Sequence, residues 1–151
     1  MKSSFVIVFS MAISSCLLSK YRRTDFTYNE GAQSYTIPIV VPKGFSKEKT
    51  EVDSSGNTIL SYTYGNHALF YVAHVVDTSL QIQSLVRADN LPQVYRPTGA
   101  VVYKGVDSGH LFWREIRQNN LWVGYRFVPK DWENRFDSAT NYALIQSFRK
   151  N

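Results

Sequence analysis

An α+β fold is predicted: an antiparallel sheet of hairpins packed by a C-terminal helix as a sandwich, behind an N-terminal signal peptide and a tether. Three observations predict it. From Ser34 onward, β-branched and aromatic residues recur at period two between breaks containing Gly, Pro and Asn. Two such runs meet at Asn119-Asn120, a pair suited to a tight hairpin turn. The final stretch instead spaces apolar side chains three and four apart, as a helix does. The 151-residue length suits one domain plus a short extension, and 44% hydrophobic and 15% aromatic content supplies a packed interior.

Residues 1–15 form the first element. Lys2 is a short positive region, Phe5 to Ile13 an apolar one, and Ser14-Ser15 are small residues of the kind accepted before signal cleavage. The apolar run falls short of the roughly 20 residues that a bilayer span needs. Cys16, the only cysteine, follows at once. An oxidising compartment selects cysteines in pairs, so a lone one at this position asks for another explanation. The residues "ISSC", Ile13 to Cys16, resemble the lipobox of bacterial lipoproteins, with Ile in place of the usual Leu and Ser15 in place of Gly or Ala. That resemblance implies that Cys16 carries the lipid, becomes the new N-terminus and places the protein at the cell envelope. A plain secretory signal and a retained membrane anchor are the alternatives. Residues 16–33 are then expected to be the lipidated N-terminus and a flexible tether. They are polar, without evident periodicity, and carry Lys20, Arg22 and Arg23 beside the anchor, where anionic headgroups could attract them. By analogy with bacterial lipoproteins, Leu17, not Asp, after the cysteine leans towards the periplasmic face of the outer membrane.

Residues 34–151 are expected to form the single α+β domain. "SYTIPIVVPKGF" reads as a strand whose Pro38 removes a ladder donor, so that it lies at an edge or begins after the proline. "NTILSYTYGNHALFYVAHVVD" reads as a hairpin turning at Gly65-Asn66. That turn sets Tyr62 against Leu69 and Leu60 against Tyr71, with Ile59, Phe70, Val72 and His74 on the other side. Both faces are apolar, so the hairpin belongs inside the sheet. "TSLQIQSLVRADNLPQVY" fits either a short helix after Thr78 or Ser79, or a strand; Pro92 and Pro97 mark a loop, and "AVVYKG" a further strand.

In "HLFWREIRQNNLWVGYRFVPK" the Asn119-Asn120 turn pairs Arg117 with Trp122, Glu115 with Gly124, Arg114 with Tyr125, Trp113 with Arg126 and Phe112 with Phe127. Phe112, Ile116, Val123, Tyr125 and Phe127 are the expected core face. The other face carries Trp113, Glu115, Arg117, Trp122 and Arg126. Trp and Arg often dominate interfaces, which makes Trp113, Arg117, Trp122 and Arg126 the candidate interaction face. The alternative is a sheet face braced by cation–π contacts and an acid–base pair. "DWENRFDSATNYALIQSFRK" closes the chain as a helix beginning near Asp131 or Asp137-Ser138, with Arg149 and Lys150 at the negative end of its dipole. Phe136, Ala139 and Ala143 form one apolar stripe, Leu144 and Phe148 another.

Chemical motifs are sparse. No nucleophile turn, phosphate-cradling glycine loop or metal-ligand spacing is present, so no catalytic residue, metal ligand or cofactor is assigned. The formal charge of +5 is spread along the chain without a like-charge run, and with export this argues against nucleic acid. The motif "YTIPIVVPKGF" and the ending "ALIQSFR" resemble the PsbP-like fold, some of whose relatives bind or help assemble protein complexes; the resemblance implies a fold and no site residue. The resulting expectation is a lipid-anchored, exported bacterial protein acting as a non-catalytic interaction or assembly module with an envelope protein partner. The rival is a small exported hydrolase or ligand-binding enzyme whose site joins distant residues, such as His74 or His110 with an acid.

Overall fold

The computed structural model describes residues 20–76, 93–95 and 98–148. The signal-like segment, Cys16 and most of the ambiguous segment after Thr78 lie outside the described residues, as do Arg149 and Lys150. The chain runs β1 (Tyr21–Glu30), β2 (Gln33–Pro42), β3 (Phe45–Val52), β4 (Thr58–Tyr64), β5 (Leu69–His74), β6 (Gln93–Tyr95), β7 (Ala100–Val106), β8 (Phe112–Gln118), β9 (Leu121–Val128) and α1 (Lys130–Phe148). Strands β3 to β9 form a seven-stranded antiparallel sheet in the order β3-β4-β5-β9-β8-β7-β6. Strands β1 and β2 form a separate two-stranded ribbon. Ribbon and helix pack on one face of the sheet, and the predicted α+β class holds.

The main core joins all three parts. Phe26 of β1 and Ile37, Ile39 and Val41 of β2 meet Leu60, Phe70, Val72 and Val123 of the sheet and Phe136, Ala139 and Ala143 of α1. The predicted stripe of Phe136, Ala139 and Ala143 packs into this core. Phe136 sits at the centre of an edge-on aromatic group with Tyr64, Phe70 and Tyr125, at centroid distances of 5.0, 6.4 and 5.7 Å. Leu144 packs apart from this core, with Ala100 and Ile116. Asp131 and Glu133 occupy the first turn of the helix, where its dipole favours acids.

The flexible tether is corrected over most of its length. Residues 21–30 are a strand paired with β2 across ten positions, from Tyr21 with Pro42 to Glu30 with Gln33. Thr24, Phe26 and Tyr28 point inward against Ile39, Ile37 and Tyr35, and Phe26 is 1% exposed. Burying that ring and pairing ten residues outweigh the polar composition that suggested a linker. Pro38, opposite Asp25, sits in a ribbon strand with an edge to spare.

The register of the β4–β5 hairpin also differs from expectation. Tyr62 pairs with Phe70 and Leu60 with Val72, so these four share the core face. The turn holds three residues instead of two. Tyr64 and Ala68 close it, and His67 takes the left-handed conformation at φ 64°. One extra loop residue shifts the pairing by one and exchanges the faces of β5. The same turn recurs at Asp53–Asn57 and Asp107–Leu111, with Gly56 (φ 84°) and His110 (φ 58°) at the left-handed position. In both, the aspartate carboxylate accepts backbone N–H groups two and four residues on.

At β8–β9 the pairs Arg117–Trp122, Glu115–Gly124 and Arg114–Tyr125 form as predicted. Beyond them a bulge intervenes: Phe112 pairs with Val128, and Phe127 stands outside the ladder at φ 57°. Val128 is buried where Phe127 was expected, and Phe127 is 37% exposed. The predicted pairs Trp113–Arg126 and Phe112–Phe127 are replaced for that reason.

Candidate functional site

The four predicted interface residues lie on the sheet face opposite the helix. Trp113, Trp122 and Arg126 are buried, at 7%, 8% and 6% exposure, which corrects the expectation that they present a binding surface. On the same face lies Glu115, itself 2% exposed. Tyr71 donates its hydroxyl to Glu115 Oε2 at 2.6 Å, and Arg117 Nε donates to Oε1 at 2.7 Å. Arg126 Nη2 lies 3.9 Å from Oε2. The Arg117 guanidinium stacks 4.1 Å from the Trp122 ring centroid, and that of Arg126 lies 5.3 Å from the centroid of Tyr71. Burial, and then the Glu115 charge, push the Tyr71 hydroxyl far up, so it stays a donor.

Two glycines make room for these rings. A Cβ on Gly124 would meet Tyr71 Oη at 2.5 Å and the Arg114 carbonyl at 2.6 Å, and one on Gly105 would meet the Trp113 indole at 2.8 Å. Trp113, Arg117, Trp122 and Arg126 share this face; Arg117 and Arg126 meet at the buried Glu115 carboxylate, Trp122 stacks on Arg117, and Trp113 lies against Gly105. The arrangement braces the sheet.

An accessible site lies on the other face. A groove of about 400 Å³ opens between the first half of α1 and strands β7 and β8. Lys104, Phe112 and Arg114 form one side and Glu133 and Asp137 the other, with Tyr125 between them. Lys104 and Arg114 are cross-strand partners, so both point to the helix side. Arg114 Nη1 donates to Asp137 Oδ1 at 3.1 Å and to Thr140 Oγ1 at 3.3 Å. Tyr125 donates to the same carboxylate oxygen at 2.8 Å. Burial first, and then the Asp137 hydrogen bond and charge, raise the Tyr125 hydroxyl well above its ordinary value, so it keeps its proton. At the rim, Lys130 binds Glu133 at 2.6 Å and lies 4.4 Å from the centroid of Phe112.

These groups can hold charge and orient a polar head. Glu133 and Asp137 are already engaged by cations, and Tyr125 is a fixed neutral donor. Among the described residues no acid pairs with Lys104, and no three His, Cys, Asp or Glu side chains gather as a metal site. No described helix is long and apolar enough to cross a membrane. The histidines are placed elsewhere: His67 and His110 occupy turns, and His74 is buried against Tyr28 at a ring-centroid distance of 4.2 Å. Burial lowers the His74 pKa, with the Glu30 charge opposing.

The groove was not anticipated from the sequence, although one signal was available. Arg114 alternates with Phe112 and Ile116 on a face otherwise read as core. A cation there requires an acid from another element, and Asp137 on α1 supplies it.

Comparison with known proteins gives no match: no family model, curated protein or solved structure is significantly similar to the chain.

Proposed function

We propose that this chain is a lipid-anchored, exported bacterial binding module, non-catalytic, that recognises a component of the cell envelope through the groove beside α1. The observation that carries the recognition half is the fixed set Arg114–Asp137–Tyr125–Thr140, which orders charged groups at an open site at some cost in side-chain freedom. A bare structural ion pair at a surface returns little for such ordering. The "ISSC" sequence carries the anchoring half, and the periplasmic face of the outer membrane is the proposed location.

The structure adds one consequence. Strand β1 begins at Tyr21, and the Lys20 carbonyl already accepts the Lys43 N–H, so at most four residues, 17–20, lie between Cys16 and β1. Four residues span at most roughly 14 Å, so an acylated Cys16 would hold the domain close against the bilayer. Two or three acyl chains give stable attachment where one does not.

The deciding experiment is the intact mass of membrane-extracted protein, with and without Cys16→Ser. A wild-type mass increased by acyl groups, lost in the variant, supports the proposal. Wild-type protein that partitions into the aqueous phase at the mass of an unmodified chain refutes it.

A further inference from the structure

The geometry points to a ligand for the groove: a small amphiphilic monoanion, a carboxylate on an apolar body, whose head lies between Lys104 and Arg114 and whose body lies against Val102, Val106 and Phe112. This rests on the recognition half of the proposed function and names the class of molecule recognised.

Three features lead there. First, Lys104 and Arg114 face each other directly across the β7–β8 ladder. Like charges in that position destabilise a sheet, so the pair needs compensation. Asp137 compensates Arg114, at 3.1 Å, and Lys104 has no acid among the described residues. Second, the charges in and around the groove do not balance. Among the described residues, Lys104, Arg114 and the rim residue Lys130 stand against Glu133 and Asp137, an excess of one positive charge that an anionic ligand would neutralise. Third, the surface next to that charge is apolar. Val102 and Phe112 line the groove, and Val106, also lining it, is 51% exposed. A β-branched residue left half in water beside a cation with no acid partner among the described residues is poorly placed for stability and well placed to receive an apolar body.

The size fits the same class. A space of about 400 Å³ admits a molecule of one ring or a short chain with its head group. Arg114 is pre-aligned by Asp137 and Thr140, so little freedom is lost when an anion arrives. The Lys104 side chain is exposed, and its amine would meet the head from the solvent side.

The test uses the full chain and 4-phenylbutanoate, its neutral amide, and a short peptide ending in a free Phe carboxylate, followed by calorimetry. The carboxylate should bind about tenfold or more tightly than the amide, since only it makes charge-assisted hydrogen bonds. Lys104→Met should weaken the carboxylate about tenfold, and Lys104→Arg should restore binding to within about threefold. High salt should weaken the carboxylate and leave the amide unchanged. Lys104 is exposed, so both variants should melt with the wild type, which separates lost binding from lost folding.

Equal affinity for acid and amide, no effect of Lys104→Met, or no carboxylate binding up to about 10 mM would overturn the inference. If the peptide binds while the small acid does not, the groove recognises a chain terminus; this inference then fails and the proposed binding module stands. The mass of Cys16 is read independently of all these arms.

Discussion

Arg114 and Glu115 are consecutive residues on β8, and they show how differently two faces of one sheet use charge. Glu115 points away from the helix into a closed cluster. Its side chain is 3% exposed, and Tyr71, Arg117 and Arg126 surround it. Arg114 points to the helix, where its pair with Asp137 borders an open groove and the two side chains are 17% and 35% exposed. The enclosed carboxylate has no water to fall back on, so every partner it loses leaves a buried charge uncompensated. The open pair is screened and can exchange one partner for a ligand or for solvent. Burial, more than the number of ion pairs, separates the part of the molecule that holds the sheet from the part able to bind.

The largest effect should come from Glu115→Ala. Removing the acid leaves Arg126 buried without its counter-ion, and urea unfolding should show a loss of about 3–5 kcal/mol. A loss below about 1 kcal/mol would place the cluster in the class of exposed pairs and erase the contrast.

Gly124→Ala sharpens the same point through packing. The new methyl group would press on the Tyr71 hydroxyl and on the Arg114 carbonyl, and a backbone atom cannot move aside as a side chain does. A destabilisation of about 1–3 kcal/mol is expected by the same unfolding measurement. Wild-type stability in this variant would show that the aromatic floor is looser than described.

On the helix side, Asp137→Asn should cost less, about 1 kcal/mol, because Arg114 and Tyr125 each retain solvent or an amide oxygen as partner. The cost should shrink in high salt, whereas that of Glu115→Ala should persist. Salt-sensitive loss at both sites would break the comparison.

The smallest effect is one of pH. Burial against Tyr28 lowers the His74 pKa below its ordinary 6.5, so the unfolded chain takes up the proton first as pH falls. Stability from this residue is fully present above pH 6.5 and is lost progressively as pH falls from there towards the lowered folded value. His74→Phe should flatten the stability profile between about pH 7 and pH 5 while leaving the value at pH 8 almost unchanged. An identical slope in both proteins would assign the pH dependence to other groups.

The sequence made some elements legible and hid others for identifiable reasons. Asn119-Asn120 fixed the β8–β9 register near the turn because a two-residue connection permits only one pairing. The register failed past Arg114, where Phe127 takes a positive φ that nothing in its side chain announces. The β4–β5 hairpin failed at its start, since Gly65-Asn66 favours a two-residue turn and the chain uses His67 as well. Strand β1 is hidden in the sequence because its inward face carries Thr24 and Tyr28 beside a single large apolar side chain, Phe26. Its period-two pattern is real but weakly hydrophobic. The Trp–Arg cluster is legible as a pattern but its burial is not, because period two says which residues share a face and not what lies over it.

What the sequence determined by itself is what depends on neighbours along the chain: the alternation that makes strands, the tight turn at Asn119-Asn120, and the helix stripe of Phe136, Ala139 and Ala143. The tertiary structure decided the rest: that the ribbon joins the core, that Glu115 is sealed while Arg114 borders a groove, and that Asp137 meets Arg114 from 23 residues away. The physical reason is that local preferences act through a few bonds, whereas burial and charge pairing are set by where α1 crosses the sheet. That crossing is fixed only when the apolar faces of all three parts close together.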